Sequence, residues 1–280
     1  MITEISPIKL LLKLSLLEFR KNFLTLRMGV LLPILILFIL GSSWGFSDEN
    51  ANLPAEVNAN NPFEVLFLTS LFILFSSTLG IVLVGFDGIS KKRISGLLAI
   101  EFCQPISKRI LGLSQLFGLW LTVTIPTIIL SLFAVVLIFK QMNMWPSLAE
   151  LILFIFATSM LLFWYSSIQL LVSCLARDMG SAVTLGVGTW LLFTMIWLLV
   201  TALLATVFGV DVTNTSNEKF ISFSSKVDLF SPNGLYQLLL ESQLENLSRK
   251  LPAWMLVLAT ISWSLIPSTF FVWIFTKLRA

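Results

Sequence analysis

Histidine is absent from this 280-residue chain. Without imidazole, zinc hydrolysis, histidine acid–base chemistry and histidine proton relays have no side chain to run on. Cysteine is nearly absent as well, with only Cys103 and Cys174, both on or near what reads as the inner face. Two such thiols do not make a disulfide framework. Neither G-x-x-x-x-G-K-S/T nor G-x-G-x-x-G occurs, so the sequence holds no recognisable nucleotide-binding loop. Charged residues make up 12% of the chain, and they are missing from long stretches of it.

Those stretches are what the sequence does have. Apolar residues form 57% of it, above the ~45–50% usual for soluble domains. Six runs are long, apolar and virtually uncharged: 28–44, 65–86, 110–139, 148–175, 180–208 and 253–276. Runs of about 18 apolar residues or more read as membrane-spanning helices. They lack the two-residue alternation of barrel strands, so the expected fold is all-α and polytopic. Every Asp, Glu, Lys and Arg sits in a loop or at the edge of a span. That placement counts against a proton- or sodium-driven carrier, which keeps ionisable groups inside the membrane.

The bases set the expected orientation. With both termini in the cytoplasm, thirteen Lys and Arg fall inside and five outside, as the positive-inside rule requires. The chain then divides into a cytoplasmic amphipathic elbow (1–27), spans one to five (28–208), an extracytoplasmic loop (209–252), and the last span with its tail (253–280). The scattered charges of the N-terminus, with no small-residue cleavage site, do not read as a cleaved signal. Ser6 and Pro7 suit the start of an interfacial helix whose Lys9, Lys13 and Arg20 face lipid headgroups. The bases therefore describe membrane topology, and no basic patch points to nucleic acid.

Outside, Asn61-Pro62 reads as the cap and first turn of span two. Met142 and Met144 sit beside Trp145 and read as interface residues rather than copper ligands, so no metal site is assigned. In the loop 209–252, Ser231-Pro232 starts a helix with Leu235, Leu238 and Leu239 on one stripe. That helix is expected on the outer membrane surface or capping the bundle. Two glycosylation sequons begin at Asn214 and Asn246.

Within the membrane the notable residues are small and neutral. Ser70, Ser77 and Gly85 share a face of span two, and Gly180, Thr184 and Gly188 recur at intervals of four in span five. Such faces let helices approach closely. They suit packing within one bundle, or else a subunit interface or substrate path. Gln169 reads as a hydrogen-bonding residue between helices. Pro126 reads as a kink in span three, with Thr122, Thr124 and Thr127 re-satisfying the freed backbone.

The densest charge lies in "FDGISKKRISGLLAIEFCQPISKRIL", residues 86–111. Ile94, Leu97, Leu98 and Phe102 recur at helical spacing, while Lys91, Lys92 and Ser95 are expected to turn away. Gly96 interrupts and Pro105 closes the segment. This describes short amphipathic helices across the inner face, able to lie on lipid or dock on a soluble partner.

The stretch resembles the first cytoplasmic loop of type-2 ABC exporter permeases, which reads D-x-I-x-x-E-R-x-x-G-T-L-x-x-L-L-x-x-P-V/I-S-R before a helix opening I-L-x-G-K. Asp87, Ile89, Arg93, Gly96, Leu98, Pro105, Ile106, Ser107 and Lys108 fall in register, followed by Ile110, Leu111 and Gly112. The sequence departs from that pattern at Lys92, Leu97, Glu101 and Gln115. The turn around Arg177 resembles the family's second loop. Residues 229–242 are similar to the permease subgroup of nitrous-oxide-reductase copper-centre maturation. The resemblance implies a plasma-membrane permease of an ATP-driven exporter, or a transducer passing motion to an extracytoplasmic partner. It implies a second permease chain, identical or a close paralogue, and two ATPase subunits that carry the ATP and magnesium. No cofactor or catalytic residue is then expected in this chain. Asp87 to Arg109 would form the ATPase-coupling loop, and Arg177 with Asp178 a smaller second contact.

Overall fold

The computed structural model describes residues 6–48, 61–212, 217–244, 249 and 251–278. The loop 45–63 falls mostly outside the described residues, as do the sequon asparagines Asn214 and Asn246.

Described residues form an all-helical bundle in which six stretches are long and apolar enough to cross a membrane. Helix α1 (Pro7–Phe23) precedes α2 (Leu26–Phe46) and α3 (Pro62–Gly85). Two short helices follow, α4 (Ser90–Ile94) and α5 (Leu97–Phe102), before α6 (Lys108–Met142) and α7 (Leu148–Leu175). The fifth span runs from Met179 to Val207 as α8 (Met179–Leu191), a π-helical turn (Leu192–Ile196) and α9 (Trp197–Val207). Helices α10 (Glu218–Asp228) and α11 (Pro232–Glu241) come next, and α12 (Ala253–Lys277) ends the bundle. All six spans lie within a few residues of the apolar runs.

Local chemistry sets the helix ends. Asn61 and Glu64 form a capping box at the start of α3, with Pro62 in the first turn. Ser147 and Glu150 do the same for α7, and Asp178 and Ser181 for α8. Within α6 the Thr122 and Thr127 hydroxyls donate to the carbonyls of Gly118 and Val123. They therefore do not take up the Thr122 carbonyl, the acceptor one turn back that Pro126 leaves without its backbone donor.

Helix α3 is the central post. In its most apolar window 72% of residues are buried inside the chain, against 17% for the fifth span. Ser77 meets Thr127 of α6 at 3.1 Å, and Gly85 lets Leu119 and Gln169 close against its backbone. Helix α1 lies across α6 where Gly118 sits beneath it. A Cβ at 118 would come within 2.6 Å of Glu18 Cβ, so this crossing requires glycine.

Both ends of the chain reach the same end of the bundle. Glu18 of α1 contacts Lys92, and Lys108 donates to the Leu278 carbonyl. We call this the basic end. The C-terminal ends of α2 and α6 meet at the other, where Ser47 donates to the Gln141 side chain.

The segment 217–242 departs from expectation. It does not lie flat on the surface. Helix α10 descends into the bundle, the chain turns at Leu229–Ser231, and α11 climbs back out. The turn's Leu229 carbonyl accepts from Trp263, ten residues into α12. Asp228 accepts from Trp197, ten residues from the end of α9. At 1.5 Å per residue both levels lie about 15 Å below the bundle's end. The cause is polar. Tyr165 donates to Asn233 Oδ1 at 2.8 Å, and Asn233 Nδ2 donates to the Phe193 carbonyl at 3.0 Å. Phe193 lies in the π-turn, whose altered ladder presents that carbonyl sideways. Thr158 and Tyr236 meet at 3.1 Å. A leucine stripe alone could rest on a membrane surface; Asn233 and Tyr236 instead find their partners inside the bundle.

Candidate functional site

The loop 86–107 forms a plate across the basic end. After α3 the chain turns at Asp87–Ile89, makes α4, and reverses at Gly96. There φ is +73°, a left-handed conformation natural for glycine. Helix α5 follows, and Ser107 caps α6 by accepting from the Ile110 amide at 3.3 Å.

Most of the charge in this loop points inward. Asp87 holds Arg27 in a bidentate pair at 2.7 and 2.8 Å, tying the loop to the start of α2. The Arg27 guanidinium also lies 4.5 Å from the centre of the Phe86 ring. Arg93 donates to the carbonyls of Cys174 and Ala176, two orphan acceptors at the end of α7. The amides of Ile89 and Ser90 donate to Ser173 Oγ at 3.1 and 3.2 Å. Lys108 donates to the Leu278 carbonyl and sits 4.1 Å from the Phe102 ring centre.

Lys92 corrects the sequence reading. It does not turn away. Its ammonium is buried between Glu18 of α1 and Glu101 of α5, at 2.8 and 2.9 Å. Gln115 of α6 donates to the far oxygen of Glu101 at 3.4 Å. Lys92 and Glu101, two departures from the family pattern, therefore compensate each other inside the fold.

Leu98 and Ile89 are also fully buried. Pro105 and Arg109 are exposed. The apolar side chains that the plate turns outward are Ile94 (57% exposed) and Ile100 (63%), while Leu97 (39%) lines a cleft beside α1. Composition could not separate Leu98 from its neighbours. The reversal at Gly96 breaks the single helical phase that had put Ile94, Leu97, Leu98 and Phe102 on one face.

Arg177 and Asp178 lie exposed between α7 and α8, beside the exposed Leu175 and Met179. The Ser181 amide, donating at 2.7 Å, holds the Asp178 carboxyl below the usual carboxylate range. The small-residue faces part company. Ser70, Ser77 and Gly85 are buried within this chain. Gly180, Thr184 and Gly188 are exposed, and a Cβ at Gly188 would meet nothing within 4 Å. Gln169 packs into the gap left by Gly186, and its Nε2 finds no partner among the described residues.

In the hairpin, Arg249 pairs with both Asp228, beside the turn, and Glu241, the last residue of α11. Burial raises the Glu241 carboxyl above its ordinary value, Arg249 offsets part of that, and Asp228 adds to it.

Residues 11–278 match the family described as ABC-2 family transporter protein, and the chain belongs to it. It is a multi-pass membrane permease subunit of an ABC transporter. No curated protein matches the sequence.

Proposed function

We propose that this permease drives export, and that its basic end faces the cytoplasm with loop 86–107 as the seat of the ATPase. The carrying observation is the two-sidedness of that plate. Ile94 and Ile100 offer an apolar face outward. On its inner side, Asp87, Arg93 and Lys92 fasten the plate to α2, α7 and α1. A plate so fastened passes displacement to three helices at once, whereas a floppy loop would dissipate it. Leu175, Arg177, Asp178 and Met179 supply the smaller second contact.

The working complex is two permeases with two ATPases, the ATP and magnesium bound on the ATPases. The exposed Gly180, Thr184 and Gly188 face supports a second permease chain, an identical copy or a close paralogue, packed along the fifth span. The polar bonds holding the hairpin among α3, α7 and α12 make it the part that must shift for an outward path to open. Native mass spectrometry of the chain purified with its ATPase should give a two-plus-two complex. An active complex with a single permease chain would contradict this reading.

A further inference from the structure

A cleft of about 340 Å³ opens at the basic end, between α1, the start of α2, the end of α3 and the plate. Its charged side is lined by Glu18, Lys21, Arg27, Asp87, Lys91 and Lys92. Both carboxylates are already engaged, Asp87 by Arg27 and Glu18 by Lys92. Two cations are left over. Lys91 has no ion-pair partner among the described residues, and Lys21 reaches only Glu18, at 3.8 Å. Asn22 lines the same space and adds an amide. The back of the cleft is different. Val84, Leu119 and Leu170 line it and are buried, while the exposed Leu26 and Leu97 line it as well.

Free cations and exposed leucines lining one space describe an amphiphile with a phosphate. We propose that the cleft binds the phosphodiester headgroup of an anionic phospholipid, with Lys21 and Lys91 on the phosphate and the glycerol–acyl junction against the exposed Leu26 and Leu97. A free phosphate ion would use the two lysines but would leave the apolar wall unfilled. The cleft lies beside the interfacial helix α1, where lipid headgroups are at hand. Lipid bound there would touch α1 and the plate together, the two elements that Lys92 joins.

The test needs no ATPase, so its outcome is independent of the transport reading. The purified chain is placed in nanodiscs of phosphatidylcholine with 20 mol% phosphatidylglycerol, as a probe composition, and released for native mass spectrometry. One phosphatidylglycerol should remain per chain. Lys21→Ala with Lys91→Ala should weaken its retention about 30-fold, since each base near an anionic surface contributes about fivefold. Lys9→Ala with Lys13→Ala, which removes two bases of α1 that do not line the cleft, should leave retention unchanged. Equal loss in both pairs would reduce the effect to general surface attraction and overturn the site. Displacement of the lipid by 10 mM inorganic phosphate would overturn the lipid assignment, as would equal retention of phosphatidylcholine. Normal thermal stability of the Lys21, Lys91 pair shows that the loss is not misfolding. If that pair does not fold, Lys21→Gln alone should weaken retention about fivefold, and no change would overturn the proposal.

Discussion

Lys92 Nζ lies 2.8 Å from Glu18 Oε1, joining the plate to the helix that lies across α6. Glu101 approaches the same ammonium at 2.9 Å from the other side. One cation thus holds two anions that would otherwise repel each other in a half-buried space. Lys92→Ala should destabilise the chain by about 3 kcal/mol, the low end for breaking a buried pair because both acids keep some contact with water. Lys92→Met with Glu18→Gln and Glu101→Gln removes every charge at once and should recover all but about 1 kcal/mol. Thermal unfolding in detergent checks both. Failure of the triple variant to recover would mean that the ion pair is not what Lys92 contributes.

Arg93 does the work of a cap. Its fork reaches two carbonyls at the end of α7, and lysine has no fork. Arg93→Lys should keep one bond, and Arg93→Ala should keep neither. We expect losses near 1 and 2–3 kcal/mol respectively, from unfolding in the same detergent. Equal losses would remove the two-carbonyl geometry from the account.

The hairpin hangs on Asn233. Asn233→Leu deletes its bonds to Tyr165 and to the π-turn carbonyl of Phe193, while Tyr165→Phe deletes one. Bonds of this kind in membrane helices contribute about 0.6 kcal/mol each, up to ~1.7. A cysteine at Leu229, the turn of the hairpin, should then react faster with a small thiol reagent in Asn233→Leu than in Tyr165→Phe. Unchanged reactivity in both would show that packing alone holds the turn.

The Arg249 cluster of the hairpin should respond to pH. Burial raises the folded-state pKa of Glu241 above its unfolded value. A raised carboxyl binds its proton more tightly when folded, so this group favours the folded hairpin at low pH. That contribution is lost as pH rises through the folded value. Asp178 has the opposite sign, favouring the folded state above the ordinary carboxylate range and losing that as pH falls. Glu241→Gln should therefore flatten the decline in stability on the way up from acid to neutral pH. A steeper decline in that variant would refute the assignment.

Much of this molecule is legible in its sequence. Charge-free runs give the spans because lipid tolerates little else, and Asn61-Pro62 announces a helix start. What escapes is whatever depends on distant partners. Lys92 reads as a solvated base until Glu18, 74 positions earlier, is seen beside it. Leu98 reads like Leu97 until Gly96 reverses the chain. Asn233 reads only as part of a helix's first turn until the π-turn offers it a carbonyl. Hydrophobic periodicity reports burial and says nothing of which polar groups meet.

Orientation has its own check. Cysteine in place of the exposed Glu218 should react with an impermeant reagent on intact cells, and cysteine in place of Arg177 only after permeabilisation. The reverse pattern would invert the topology.

The most direct test of the coupling plate is capture of the ATPase by single variants of its outward face. Ile100 is 63% exposed and free of the core, so Ile100→Asp should leave folding and membrane levels intact. Placed in an interface, the new charge should weaken ATPase binding by about 2–5 kcal/mol, roughly 30- to 4,000-fold. The comparison variant is Arg177→Ala, at the smaller second contact. The account predicts that Ile100→Asp abolishes co-purification of the ATPase while Arg177→Ala weakens it only slightly. Full retention of the ATPase by Ile100→Asp would contradict it.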